Sequence, residues 1–237
     1  MSNSVRKAVL FDLDGTLVDS APDLTLSVGH ALAGVGMPAP GLDEVRRYVG
    51  EGAQKLLHRS LTRDPDGVAD AALFREASQL FFDHYAANLC VQSHLYPGVV
   101  ATLERLRQRG CRFACVTNKP ARYTAPLLEA VGLAEYFTVS VSGDSLPRKK
   151  PDPAPLQFAA TALGMATVDC TMVGDTVTDI AAARAAGMKV IAVDYGYGDP
   201  GALAAAAPDR LVSAFDELAD FLPALSGGTS ADREYRT

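Results

Sequence analysis

The run Lys7-Ala8-Val9-Leu10-Phe11 is continuously apolar from Ala8 onward, and it breaks abruptly at Asp12-Leu13-Asp14-Gly15-Thr16. A strand without polar alternation must be covered on both faces, which is the situation of a central parallel strand between layers of helices. The acidic turn then stands at the strand's carboxyl end, where open α/β sheets bind their ligands. Beyond Pro97-Gly98 the chain alternates regularly. A helix over 99–109 stops at Gly110, and strand 112–116 ends in Thr117-Asn118. A helix over 122–131 stops at Gly132, strand 138–141 follows, and a helix over 155–163 stops at Gly164. Strand 170–173 ends in Gly174-Asp175, an Ala-rich helix over 177–186 stops at Gly187, and strand 189–193 comes next. Strand-helix units with short connections predict an α/β fold, a Rossmann-like, doubly wound parallel sheet.

Between the first strand and Pro97 the period changes. Leu24, Val28, Ala31 and Leu32 recur at helical spacing, as do Val45, Val49, Leu56 and Leu57, and then Leu73, Ala77, Leu80 and Phe81. This reads as an inserted all-helical cap domain over 20–96, with the core made of 1–19 and 97–225 and a flexible polar tail over 226–237. The hinges are expected near Asp19–Ala21 and Leu95–Gly98. Ala181, Ala182, Ala185 and Ala186 are expected to pack a helix closely on the sheet.

The 237 residues carry a net charge of -6, which offers no attraction to nucleic acid or an anionic membrane. An anionic ligand would have to be drawn in by local positive charge or a metal. Cys90, Cys111, Cys115 and Cys170 are scattered without a CxxC pair, so reduced, buried thiols are expected rather than a disulfide framework. The polar start, Met1 to Lys7, and the short apolar run behind it do not resemble a signal peptide, and no segment reaches membrane-spanning length. A cytoplasmic protein, monomeric or homodimeric, is expected.

Parallel strands end on one edge, so Asp12 and Asp14, Thr117 and Asn118, Asp175 and Asp179, and Lys149-Lys150-Pro151 are expected to converge. Clustered carboxylates repel one another and raise each other's pKa; a hard divalent cation resolves the conflict. Oxygen ligands from Asp12, Asp175 and a backbone carbonyl suit Mg2+. Asp12 could then attack phosphorus in line while Thr117, Asn118 and Lys150 hold the phosphate. Asp14 could protonate the leaving alcohol and then activate water.

The motif Asp12-Leu13-Asp14-Gly15-Thr16-Leu17-Val18-Asp19-Ser20 resembles the first signature of the haloacid dehalogenase superfamily. Val116-Thr117-Asn118-Lys119 resembles the second, Lys150-Pro151-Asp152-Pro153 the third, and Val173-Gly174-Asp175-Thr176 with Asp179 the fourth. The helical insert resembles the type 1 cap. The resemblance implies Asp12 as nucleophile and metal ligand, and Asp14 as acid/base with its carbonyl on the metal. It implies Thr117 and Lys150 on phosphate and Asp175 on magnesium; Asp179 would ligate directly or through water. Dehalogenases lack an acid at the position of Asp14, and related phosphomutases carry a cap histidine near the place of Leu24, whereas His30 falls at the wrong spacing. Hydrolysis of a small phosphorylated metabolite is therefore expected. Asp19–Leu24, Val49–Ala53, Tyr96–Val99, Ala125–Ala130, Gly143–Pro147 and Tyr195–Gly198 resemble the subfamily that hydrolyses 2-phosphoglycolate. Relatives acting on other esters, N-acetylmuramate 6-phosphate among them, share several of these stretches.

Several residues have plainer roles open to them. Asp179 could cap the helix that follows it. Lys149 is expected to be solvated and Lys150 to work. Arg59 and Lys55 are candidates for a substrate carboxylate in the cap. Gly50 and Gly52 are expected to shape a loop around Glu51 that reaches into the crevice. His58, His84 and His94 have no ligand spacing.

Overall fold

The computed structural model describes residues 7–222. The expected tail over 226–237 lies outside them. The first strand, β1 (Ala8–Phe11), is followed by β2 (Val18–Asp19), four helices α1 (Ala21–Gly34), α2 (Leu42–Tyr48), α3 (Ala53–Thr62) and α4 (Ala71–Ala87), and β3 (His94–Leu95). Then come α5 (Val99–Gln108), β4 (Arg112–Val116), α6 (Ala121–Ala130), β5 (Val139–Val141), α7 (Ala154–Ala162), β6 (Cys170–Gly174) and α8 (Val177–Ala185). The described chain closes with β7 (Lys189–Val193), α9 (Pro200–Ala205), β8 (Arg210–Val212) and α10 (Leu218–Phe221).

Six strands form one parallel sheet in the order β5-β4-β1-β6-β7-β8. Counting only these strands along the chain, the order is 3-2-1-4-5-6, so the direction of winding reverses between β1 and β6. The side-chain period of two divides each strand between two cores. Val9 and Phe11, Phe113 and Cys115, and Ile191 and Val193 join one cluster with Leu103 and Leu106 of α5 and Leu127 of α6. Ala8 and Leu10, Ala114 and Val116, and Val190 and Ala192 join the other with Leu156 of α7 and Ile180 of α8. Phe11 anchors the first core, with ring centroids of Phe113 and Phe215 each 5.8 Å away.

The four inserted helices have a core of their own, built from Val28, Leu32, Val45, Leu57 and Phe81 among others. Val49, Leu73 and Leu80 pack at its margin, only partly buried. On α8 and its C-terminal cap the close-packed alanines are Ala182, Ala183 and Ala186, while Ala181 and Ala185 face solvent. This corrects the expected quartet: a helix presents i, i+1 and i+4 to one neighbour, and the pairs 181/182 and 185/186 straddle that face's edge.

Both ends of the insert are pinned. Val18 pairs with Leu95 and Asp19 with His94 in a two-residue antiparallel ribbon, too short to leave a pattern in sequence. The buried Asp23 carboxylate accepts from the backbone N–H groups of Val91, Gln92 and Ser93 at 2.8–3.0 Å, closing the start of α1 onto the returning segment.

Candidate active site

At the winding reversal the ends of β1 and β6 present Asp12 and Asp175. The backbone N–H of Asp12 continues the β1–β6 ladder to the Val173 carbonyl at 2.9 Å. Its carboxylate Oδ1 accepts from the Leu13 N–H at 2.8 Å and lies 3.0 Å from the Lys150 ammonium. Asp175 is fully buried and accepts from the Thr16 hydroxyl at 2.9 Å and the Tyr197 N–H at 2.8 Å. Gly15, at φ +84°, lets the acidic turn fold tightly over this group; a Cβ there would meet the Asp175 carboxylate.

Lys150, at 1% exposure, is the counter-charge. Its ammonium reaches Asp179 Oδ1 at 2.6 Å as well as Asp12. Burial pulls its pKa down, and the charges of Asp12 and Asp179 more than reverse this. The second oxygen of Asp179 accepts from the Thr176 N–H and hydroxyl at 3.1 and 2.7 Å, in a capping box at the start of α8. Asp179 thus both caps that helix and holds Lys150.

Burial pushes the Asp12 carboxyl up to about 6, with Lys150 opposing and Asp179 adding to the rise. Asp175 is held well above the ordinary carboxylate range by burial and by the charges of Asp12 and Asp179. Oxygens of Asp12, Asp175 and Asp179 lie within 4.8 Å of one another, and all three residues are buried. Three carboxylates against one ammonium leave an excess negative charge in a low-dielectric site. An all-oxygen, hard donor set with that excess fits a divalent cation.

Asp14 turns the other way. Its carboxylate accepts from the Ser20 hydroxyl at 2.5 Å and from the Lys119 ammonium at 3.0 and 3.2 Å. Lys119, 5% exposed, also donates to the Tyr85 hydroxyl of α4 at 2.6 Å. Burial lowers the Lys119 pKa, and Asp14 and Tyr85 raise it by more. Neither Lys119 nor Tyr85 was expected in the site. The lysine's place directly behind Thr117-Asn118 at a strand end was a signal for it; nothing local marks Tyr85.

Thr117 is buried at the end of β4, its hydroxyl accepting from the Lys119 N–H at 3.2 Å. The Asn118 amide donates to the carbonyls of Gly50 and Lys150 at 2.9 and 3.0 Å, while its buried Oδ1 has no partner among the described residues. Lys149, though exposed, donates to the Glu51 carbonyl at 2.6 Å. The cap loop over 50–52 is therefore tied to the core at two points, and Gly50 and Gly52 both carry positive φ there. Arg59 is buried in the cap, where it binds Glu51 and donates to the carbonyls of Tyr48 and Pro65 at 3.0 and 2.6 Å. Neither Arg59 nor the half-buried Lys55 lines the cavity beside Asp12. That cavity is small, about 30 Å³, and Asp12, Asp14, Thr117 and Lys119 meet Leu24, Leu56 and Tyr123 across it.

Around the far end of the site, the Tyr197 hydroxyl donates to Asp19 at 2.8 Å and accepts from the N–H groups of Ser20 and Ala21 at 2.8 and 2.9 Å. The segment entering the insert is thereby bonded to a loop of the core. No helix among the described residues is long and apolar enough to cross a membrane.

A family model described as haloacid dehalogenase-like hydrolase matches residues 6–187. The chain is 41% identical over 214 residues to the phosphoglycolate phosphatase of Nitrosococcus oceani, covering 90% of this chain and 95% of that one. To the phosphoglycolate phosphatase of Nitrosospira multiformis it is 47% identical over 193 residues, covering 81% and 85%. Among solved structures, a predicted phosphoglycolate phosphatase from Haemophilus somnus superposes with a TM-score of 0.86 at 36% identity, covering 92% of this chain and 99% of the other.

Proposed function

The chain belongs to the haloacid dehalogenase-like hydrolases, and from that premise we propose that it is a magnesium-dependent phosphatase that converts 2-phosphoglycolate to glycolate and phosphate. The observation that carries the chemistry is Lys150, buried between Asp12 and Asp179, with a second acid, Asp14, two residues beyond Asp12. The names of the relatives support the substrate.

In the first step the Asp12 carboxylate attacks phosphorus, and the bond from phosphorus to the ester oxygen breaks. Lys150 and the Thr117 hydroxyl hold equatorial phosphoryl oxygens as their charge rises. Asp14 gives its proton to the departing alkoxide, so that glycolate leaves as the alcohol. In the second step water attacks the aspartyl-phosphate. Asp14 takes the water's proton, the bond between Asp12 and phosphorus breaks, and inorganic phosphate is released with Asp12 regenerated. Magnesium, held by Asp12, Asp175 and the Asp14 carbonyl, would neutralise phosphate charge; Asp179 supports the site by gripping Lys150.

The inserted helices act in this reading as a cap that excludes water from the intermediate. Tethering of loop 50–52 by Asn118 and Lys149 supports a closed arrangement. The reading includes a cytoplasmic setting, which four free thiols support.

Phosphate release is measured with and without Mg2+ over a panel of phosphomonoesters containing 2-phosphoglycolate and N-acetylmuramate 6-phosphate. The highest kcat/KM is expected for 2-phosphoglycolate, with Asp12→Asn lowering it by at least about 10⁴-fold. Retained turnover in Asp12→Asn would overturn the mechanism; neglect of 2-phosphoglycolate beside rapid cleavage of another ester would overturn the substrate.

A further inference from the structure

The leaving group assigned above carries a carboxylate, and a carboxylate in a cavity that Asp12 and Asp14 also line is costly without a cation beside it. The cap residues expected to supply that cation are not placed to do so. Arg59 is occupied by Glu51 and two backbone carbonyls, and Lys55 does not line the cavity. Among the described residues lining the cavity, Lys119 is the one cationic side chain.

Resting on the proposed function, we propose that Lys119 binds the carboxylate of the substrate and so selects phosphate esters that carry an acid group. Its ammonium has three N–H donors. Two of its three contacts go to the two oxygens of a single carboxylate, that of Asp14, and the third to the Tyr85 hydroxyl. One donor can therefore pass to a second carboxylate while Asp14 and Tyr85 remain held. Tyr85 fixes the ammonium from the cap side and its ring lies 4.9 Å from it, so the anion site is complete only with α4 seated over the core. The apolar lining residues Leu24, Val49, Leu56 and Tyr123 offer no competing charge.

The test is a comparison of two substrates that differ only at this group: 2-phosphoglycolate and ethyl phosphate, in which a methyl replaces the carboxylate. Wild-type enzyme, Lys119→Met and Tyr85→Phe are assayed at saturating Mg2+. The wild type is expected to favour 2-phosphoglycolate in kcat/KM, and Lys119→Met to reduce that preference by about 10- to 100-fold, as befits a lost charge-assisted hydrogen bond. Tyr85→Phe keeps both charges and is expected to reduce the preference by about 3- to 10-fold, mainly through KM. It serves as the deciding variant if Lys119→Met does not fold. Equal loss on both substrates would mean that Lys119 only positions Asp14, and would overturn the proposal. A wild type that cleaves ethyl phosphate as well as 2-phosphoglycolate would also overturn it while leaving the hydrolase intact. Failure of the wild type on 2-phosphoglycolate, with other esters cleaved, would sink the substrate reading and this inference with it.

Discussion

Replacing Asp12 by Asn should inactivate the enzyme and at the same time make the metal-free protein more stable. The carboxylate is buried, and its pKa stands at about 6 against an ordinary value of 3.8. At about 1.4 kcal/mol per pH unit, this corresponds to about 3 kcal/mol. The sign follows from linkage. An acid whose pKa is higher in the folded chain than in the unfolded one binds its proton more tightly when folded. Its ionisation costs the fold nothing below about pH 4, costs progressively more up to about pH 6, and costs a constant amount above that. Asparagine keeps an Oδ1 for the Leu13 N–H, and Lys150 keeps Asp179 at 2.6 Å, so the substitution removes charge with little loss of contact. Urea denaturation in chelator from pH 4 to pH 8 is the assay. The variant should match the wild type near pH 4 and exceed it by up to about 3 kcal/mol at pH 7. A variant less stable than the wild type at pH 7 would refute the reasoning, because the Lys150 attraction would then outweigh the burial of the Asp12 charge.

Two further outcomes follow from the same cluster. Mg2+ at about a hundred times its Kd should stabilise the wild type by about 2.7 kcal/mol in a thermal melt, restore activity after chelation, and stabilise Asp175→Asn much less. Gly15→Ala should lower kcat by about 100-fold and cost about 1–3 kcal/mol, read by steady-state kinetics and urea denaturation, because φ is +84° and the new Cβ would press on the Asp175 carboxylate.

The parts of the fold that were legible are those governed by local period. Val9 and Phe11 against Ala8 and Leu10 divide between two cores because successive side chains on a strand point opposite ways. An apolar run of this kind, ending in an acid, therefore announces both a covered strand and a reactive sheet edge. Gly110, Gly132, Gly164 and Gly187 all carry positive φ just beyond helix ends, so those stops could be read from the residue type alone. The ribbon of β2 and β3 spans two residues on each side and is held by pairing with a segment more than seventy positions away, for which no periodicity exists. The short elements α9, β8 and α10 were not anticipated for a similar reason: Leu203 and Val212 are the buried anchors of the first two, and one buried residue sets no period.

The site divides along the same line. Strand ends share an edge by the geometry of a parallel sheet, so Asp12, Thr117 and Asp175 could be brought together on paper. Which way a side chain turns from that edge depends on partners distant in sequence. Asp14 turns to Lys119, 105 positions away, and Tyr197 reaches back 177 positions to Ser20. Arg59 shows the opposite case. Its residue type suited a carboxylate, but Glu51 and the carbonyls of Tyr48 and Pro65 lie within its own cap and occupy it first. A buried guanidinium must be satisfied somewhere, and the nearest acceptors decide where. The same requirement makes Lys119 informative: its protein partners are the proposed acid/base on one side and a tyrosine of the cap on the other. A cation in that position links the chemistry of the core to the seating of the cap, so substrate selection and closure would be read by one residue.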